Sequence, residues 1–118
     1  MRHRSKKHLK LNGKDVNHRD ALLRNLAGSL FIHGKVATTQ KRARAVTPLV
    51  HKLIRVAQEK DTMNTIRALS ASLYTEAACR AAMDVAKNTK KTSGFTRVTP
   101  LKYRAGDASL LVTLELVA

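Results

Sequence analysis

The sequence predicts an α+β fold: about four helices packed on one face of a small mixed sheet of about three strands, preceded by a basic N-terminal extension. Three observations support this fold. Apolar residues recur at helical spacing through the middle of the chain, and they alternate with period two at its C-terminal end. Residues 1–14 carry six basic side chains and no acidic one. The length of 118 residues suits one domain, which we place at 15–118.

The extension, residues 1–14, is predicted to be a basic arm, mobile on its own. After Met1 it contains only two large apolar residues, Leu9 and Leu11. So little apolar surface cannot offset the entropy lost on ordering. We therefore expect the arm to lie along a phosphate backbone when bound.

The first helix is expected to begin at Asn17, which can cap it, with Asp20 favouring the positive helix start. Gly34 can adopt the left-handed conformation that ends it, and Lys35-Val36-Ala37-Thr38 is partly β-branched and predicts a strand. The apolar stripe of this helix comprises Ala21, Leu22, Leu23, Leu26, Ala27, Leu30 and Phe31.

A second helix follows a cap at Thr38 or Thr39. Pro48 lies inside it and removes one backbone hydrogen bond, which predicts a kink or a break near Thr47. Its apolar stripe comprises Ala43, Val46, Val50, Leu53, Ile54 and Ala57.

Two shorter helices are predicted next, the third starting at Asp61 or Thr62 and the fourth capped by Thr75. We expect their inward-facing residues to be Ile66, Leu69 and Leu73 in the third, and Ala78, Ala81, Ala82 and Val85 in the fourth.

The C-terminal part predicts an antiparallel hairpin after a polar connection, Lys87 to Gly94. Phe95–Thr99 forms the first strand, and Pro100 marks a strand end or a sheet edge. Gly106-Asp107 marks the turn. In the second strand, the residues expected to share the helix-packed face are Leu110, Val112, Leu114 and Leu116.

Charge indicates the class of partner. Lys and Arg number 23 against eight acids, a net charge of +15, which favours a polyanionic partner. No apolar run approaches the roughly 18 residues of a membrane span, and no apolar stretch follows the basic start as it would in a secretory signal. Nucleic acid is therefore the expected partner. Residues 61–86 differ, with two basic and three acidic side chains, so that part is expected to face water or protein.

The sequence shows no constellation that indicates an enzyme, a metal site or a cofactor. The eight carboxylates are scattered, no Gly-rich phosphate loop is present, and five His with one Cys match no compact zinc pattern. We expect Cys79, in an Ala-rich helix, to act as a small buried apolar residue.

Several fragments together carry a family resemblance. Met1-Arg2-His3-Arg4 opens the chain, and a Leu-Leu-Arg-Asn-Leu run follows His18-Arg19-Asp20-Ala21. Thr38-Thr39 precedes the second helix. The hairpin fragments are Gly94-Phe95-Thr96-Arg97-Val98, Arg104-x-Gly106-Asp107-Ala108 and Leu114-Glu115-Leu116-Val117. In order and spacing these resemble the bacterial large-subunit ribosomal proteins of the seventeenth family. The departures, at Leu9–Lys14 and Lys41–Ala45, keep their basic character.

The resemblance implies a structural protein of the large ribosomal subunit in the cytoplasm. It implies an α+β body on 23S ribosomal RNA, near the rim of the peptide exit tunnel, with other ribosomal proteins as neighbours. Composition alone leaves an alternative, a non-ribosomal architectural nucleic-acid-binding protein.

We predict RNA contacts from the arm, the first helix, the start of the second helix and the hairpin. Tyr103, between two basic residues, is the best candidate for stacking on a base, although a half-buried loop tyrosine would fit the sequence as well. The residues predicted to bind RNA are Arg2, His3, Arg4, Lys6, Lys7, His8, Lys10, Lys14, His18, Arg19, Arg24, Lys41, Arg42, Arg44, Lys90, Lys91, Arg97, Lys102, Tyr103 and Arg104.

Overall fold

A computed structural model describes Leu11 and residues 15–117 of the chain. Four helices and three strands confirm the predicted α+β class. Their order is α1 (Val16–His33), β1 (Lys35–Thr39), α2 (Gln40–Glu59), α3 (Thr62–Ser72), α4 (Glu76–Asn88), β2 (Thr96–Tyr103) and β3 (Leu110–Leu116).

Helix α1 is capped at both ends. Asp15, and not the predicted Asn17, is its N-cap: the carboxylate accepts a hydrogen bond from the His18 backbone N–H at 2.7 Å. The Asp15 carboxylate, two residues earlier, accepts one free N–H group of the first turn, so Asn17 becomes part of the helix. The predicted end at Gly34 is confirmed, since this residue has φ 80° and donates its N–H to the Leu30 carbonyl at 2.8 Å.

Helix α2 continues through Pro48, so the expected break near Thr47 is absent. Proline has no N–H to donate to the Arg44 carbonyl one turn earlier. Pro48 and Arg44 are both exposed, so water can reach the freed carbonyl. Beside the gap, the Thr47 hydroxyl donates a hydrogen bond to the Ala43 carbonyl at 2.7 Å.

The predicted starts of the next two helices are confirmed. The Asp61 carboxylate accepts the Asn64 backbone N–H at 3.1 Å and begins α3. The Thr75 hydroxyl accepts the Ala78 backbone N–H at 3.2 Å and begins α4. Each cap provides a hydrogen-bond acceptor for one otherwise free N–H group in the first turn of its own helix.

The sheet has the strand order β1-β3-β2, and both pairings are antiparallel. The prediction of a mixed sheet is wrong in this respect, because β3 lies between the other two strands and keeps them from pairing in parallel. The first hairpin strand is also longer than predicted and includes Pro100. As β2 lies at the sheet edge, a missing N–H is tolerated there, and the register shifts between Pro100 and Lys102.

The core lies between the helices and one face of the sheet. In β3, Val112 and Leu114 are fully buried, which confirms the predicted inward face. Cys79 is buried among apolar residues, as expected. Ile66 is the exception to the predicted stripes: it is 44% exposed. The largest fully buried side chains are Phe95, Leu30, Ile54, Leu69, Leu114, Val46, Val50 and Val112.

Candidate nucleic-acid interface

The N-terminal turn of α2 presents three of the predicted RNA-binding residues together. Lys41, Arg42 and Arg44 are all exposed. The first turn contains no acidic residue, and the Thr39 side chain makes no capping hydrogen bond. The positive end of the helix and its free backbone N–H groups therefore add to the attraction of the side chains for an anion.

A groove of about 440 Å³ runs beside this turn, between α1 and α2. Its apolar side is formed by Ala21, Leu22 and Leu26. His18 from α1 and Arg42 from α2 both line it, so the fold brings two predicted basic segments to one surface. We call this surface the α1–α2 groove. The polar residues that line it are His18, Asn25, Ser29, Thr38 and Arg42.

Three of these polar residues were missed by the sequence reasoning. Asn25, Ser29 and Thr38 carry no charge, and the prediction relied on charge. A signal was present, because His18, Asn25 and Ser29 lie on one side of α1 at helical spacing. The spacing alone does not show that this side of α1 forms a groove, because the groove also requires Thr38 of β1 and Arg42 of α2.

The other two predicted cations of α1 do not line this groove. Arg19 is half-buried. The Arg24 guanidinium lies 5.8 Å from the centre of the Tyr74 ring, within the range of a cation–π contact. Arg24 is therefore engaged with the connection between α3 and α4, outside the α1–α2 groove.

The hairpin divides its basic residues into two groups. Arg104 makes two hydrogen bonds to Asp107, Nε to Oδ1 at 2.9 Å and one terminal nitrogen to Oδ2 at 2.6 Å. This pairing raises the pKa of Arg104 and holds the pKa of Asp107 far below its ordinary value, with the Ser109 N–H also contributing. Arg97 pairs with Glu115 at 3.3 Å.

Lys102 and Tyr103 are the residues that the hairpin leaves available. Tyr103 is 71% exposed. It is therefore not the half-buried loop tyrosine that the sequence left open, and its ring is accessible. No ion pair involves Lys102 in the part of the chain that the structure describes. The hairpin thus offers one ammonium group and one aromatic ring beside two arginines that are already paired.

Lys90 and Lys91 lie exposed in the connection between α4 and β2. The Lys91 carbonyl accepts a hydrogen bond from the Gln58 side chain at 3.1 Å. This contact ties the connection to the C-terminal end of α2, away from the basic first turn of that helix. The two lysines therefore form a separate patch.

His51 has a structural place and is not part of these surfaces. Its Nε2 lies 3.0 Å from the Thr96 hydroxyl, and its ring packs edge-on against Phe95 with 5.4 Å between ring centres. Partial burial of the imidazole lowers its pKa. These contacts join α2 to the start of β2.

Two further findings concern the whole described region. Among Leu11 and residues 15–117, no group of three or more His, Cys, Asp or Glu side chains could hold a metal ion. No helix there is both long and apolar enough to cross a membrane. The arm residues predicted to bind RNA lie outside the described residues, namely Arg2, His3, Arg4, Lys6, Lys7, His8, Lys10 and Lys14.

The chain is similar to known proteins over nearly its whole length. The family model described as ribosomal protein L17 matches residues 22–117. The large ribosomal subunit protein bL17 of Chloroflexus aurantiacus is 40% identical, with 99% of this chain and 100% of that protein covered. Proteins of the same name from Neorickettsia sennetsu and Sulfurimonas denitrificans are 36% and 38% identical. They cover 99% and 89% of this chain, and 100% and 91% of their own lengths.

Proposed function

Because the chain belongs to the ribosomal protein L17 family, we propose that it binds 23S ribosomal RNA near the rim of the peptide exit tunnel. Membership makes it a structural protein of the large ribosomal subunit, and not an enzyme. The finer part of the proposal is that RNA is bound by the arm, the α1–α2 groove, the first turn of α2 and the hairpin. The relatives named above give no support to the alternative of a non-ribosomal architectural protein.

The observation that carries the proposal is the meeting of His18 and Arg42 in one groove, beside the uncapped start of α2. A phosphate bound there would accept hydrogen bonds from backbone N–H groups and from the Arg42 guanidinium, and the positive end of the helix would attract it. Lys41 and Arg44 extend the same positive surface. The apolar side of the groove can accept a ribose or the face of a base.

A second contact region is proposed at the hairpin. The exposed Tyr103 ring offers a surface on which an unpaired base can stack, and Lys102 can contact the adjoining phosphate. Arg97 and Arg104 act differently from the simple cations that the sequence suggested, since their carboxylate partners stabilise the hairpin. We propose that they position this platform and contact RNA only through donors that the carboxylates leave free.

The test is a triple substitution of Lys41, Arg42 and Arg44 by Ala in the full chain, with binding to a 23S fragment measured over a range of salt concentrations. Each lost phosphate contact lowers the log–log salt slope by about 0.7–0.9, so the slope should fall by about 2–3. Affinity at low salt should fall with it.

The matched control removes the same number of positive charges from the C-terminal end of α2 and the residue that follows it. Lys52, Arg55 and Lys60 are exposed there and are not predicted to bind RNA. Their substitution by Ala should change the slope much less. Equal effects of the two triple variants would show a general charge effect, and no effect of the first would remove α2 from the RNA-binding surface.

A further inference from the structure

Helices α3 and α4 enclose a second groove, which the proposed RNA-binding surface does not include. Its volume is about 410 Å³, and its floor and walls are mainly apolar. The apolar residues that line it are Ile66, Leu73, Tyr74, Cys79 and Met83. We call it the α3–α4 groove.

Large apolar side chains are left exposed at this groove. Ile66 is 44% and Tyr74 is 56% exposed, although helical spacing predicted Ile66 to face inward. Tyr74 also lines a smaller depression next to the groove, together with Ile32, which is 47% exposed. Large apolar side chains left exposed close together are typical of a surface that another molecule covers.

The charge around the groove opposes RNA as the molecule that covers it. Residues 61–86 carry two basic and three acidic side chains, whereas the rest of the chain carries 21 basic and five acidic ones. At the groove itself Arg80 is paired with Glu76, so its positive charge is balanced on the spot. Asp84 lies exposed on α4. Arg24 also reaches the rim, where its guanidinium lies 5.8 Å from the centre of the Tyr74 ring. The charges around the groove are therefore close to balanced, and a phosphate backbone would find no surplus of positive charge here.

We propose that the α3–α4 groove docks an apolar segment of a neighbouring ribosomal protein, with Lys or Arg beside the apolar residues. The inference rests on the proposed function, because RNA bound at the basic surfaces neutralises them and leaves this near-neutral side, with Asp84 exposed, to select its partner. Apolar side chains fill the groove, and basic ones face Asp84, which is exposed on α4. A second copy of this chain fits poorly, since each copy carries +15.

The experiment places the photoreactive residue p-benzoylphenylalanine at Ser70 in the full chain, within assembled large subunits. Ser70 is exposed and lines the groove. The control position is Asn64, which is exposed on nearly the opposite side of α3 and does not line the groove. Light should attach Ser70, and not Asn64, to a ribosomal protein. The attached peptide should contain apolar residues next to Lys or Arg.

Two background substitutions test the contact chemistry. Ile66→Lys should lower the Ser70 cross-link by about tenfold, because it removes half-exposed apolar surface and adds a charge that repels a basic segment. Ala71→Lys adds the same charge to α3 at an exposed residue that lies on another side of the helix and outside the groove lining, and the cross-link should persist. Tyr74→Lys serves as a second groove variant should thermal melts show that Ile66→Lys does not fold.

Three results would overturn the inference: attachment of Ser70 to ribosomal RNA, attachment to another copy of this chain, or no protein cross-link from intact subunits. The proposed function is tested apart from this, because Ile66→Lys should bind the 23S fragment like the unaltered chain. A control-labelled chain that fails to enter large subunits would instead overturn the proposed function, and this inference with it.

Discussion

Leu114 is the residue on which the packing of the sheet depends most directly. It is fully buried in the central strand, between Val36 and Val98 of the two outer strands. Leu114→Asp would bury a carboxylate without a partner, which costs several kcal/mol at order of magnitude. Domains have only about 5–15 kcal/mol of stability, so we expect the variant to lose its cooperative thermal melt.

The control for this prediction is the neighbouring residue. Thr113 points to the opposite face of β3 and is only partly buried, so Thr113→Asp should still melt cooperatively. A Leu114→Asp protein that melts like the unaltered chain would show that the inward face of β3 has been assigned wrongly.

A second prediction at this scale concerns the hairpin turn and pH. Arg104 holds the pKa of Asp107 well below 3.8, so the folded turn favours the ionised carboxylate. The resulting stabilisation is present above the unfolded-state pKa, near 3.8, and is lost as the pH falls towards the lower folded-state value. Nuclear magnetic resonance titration should give a depressed pKa for Asp107, and Arg104→Gln should return it towards 3.8. An ordinary pKa in the unaltered protein would contradict the ion pair.

Arginine partners show where sequence reasoning stops at the residue scale. Charge alone assigned Arg24 and Arg104 to RNA. Arg24 in fact faces Tyr74, fifty residues away along the chain, so only the packing of α1 beside the connection between α3 and α4 could reveal the contact. Asp107 is three residues from Arg104, but whether the two meet depends on the backbone of the turn. The sequence shows that these residues are positively charged, but it does not show which groups of the same protein they contact.

Helix α2 provides the prediction at the scale of the element. Pro48 lies in the interior of a 20-residue helix and leaves the Arg44 carbonyl without its helical donor. Pro48→Ala restores the donor at an exposed position and should raise the free energy of unfolding by about 1–3 kcal/mol. Chemical denaturation measures the change. As a control, Pro100→Ala on the edge strand should change stability less, because no ladder hydrogen bond depends on its nitrogen. A loss of stability in Pro48→Ala would show that the helix requires proline there.

Elements with local signals were predictable from the sequence. The end of α1 at Gly34 and the starts of α3 and α4 follow from capping chemistry within four residues. The two-residue alternation of β3 gave its buried face correctly. The antiparallel hairpin of β2 and β3 was predicted, but the pairing of β1 with β3 was missed, as were the continuity of α2 and the length of β2. Each of these depends on what surrounds the segment: a distant strand beside β1, water at Pro48 and a sheet edge at Pro100.

The whole molecule separates its two kinds of surface. The α1–α2 groove and the hairpin lie within strongly basic parts of the chain, whereas the α3–α4 groove lies in the near-neutral part. Charge windows in the sequence predicted this division. They could not predict either groove, because each forms only where two distant faces meet. The proposed function needs such a division, since phosphate and apolar segments require different surfaces.

The final prediction concerns the arm and the body together. We propose that the arm binds RNA, and deletion of residues 1–10 removes five of its basic side chains, Arg2, Arg4, Lys6, Lys7 and Lys10. At about 0.7–0.9 per phosphate contact, the log–log salt slope of 23S binding should fall by about 3.5–4.5. The melting temperature of the free protein should hardly change, because the truncation keeps Leu11, which is only 6% exposed.

Two variants separate charge from packing in that experiment. Replacing the same five basic residues by Gln keeps the chain length, and it should reproduce the loss of slope if phosphate neutralisation is the cause. Leu11→Ala should lower the melting temperature, because it removes a buried apolar side chain. It should leave the salt slope unchanged, because every arm cation stays in place. A truncated chain with an unchanged salt slope would mean that the arm does not contact RNA. A truncated chain with a sharply lower melting temperature would mean that residues 1–10 belong to the folded body, and the boundary between arm and domain would then move towards the N-terminus.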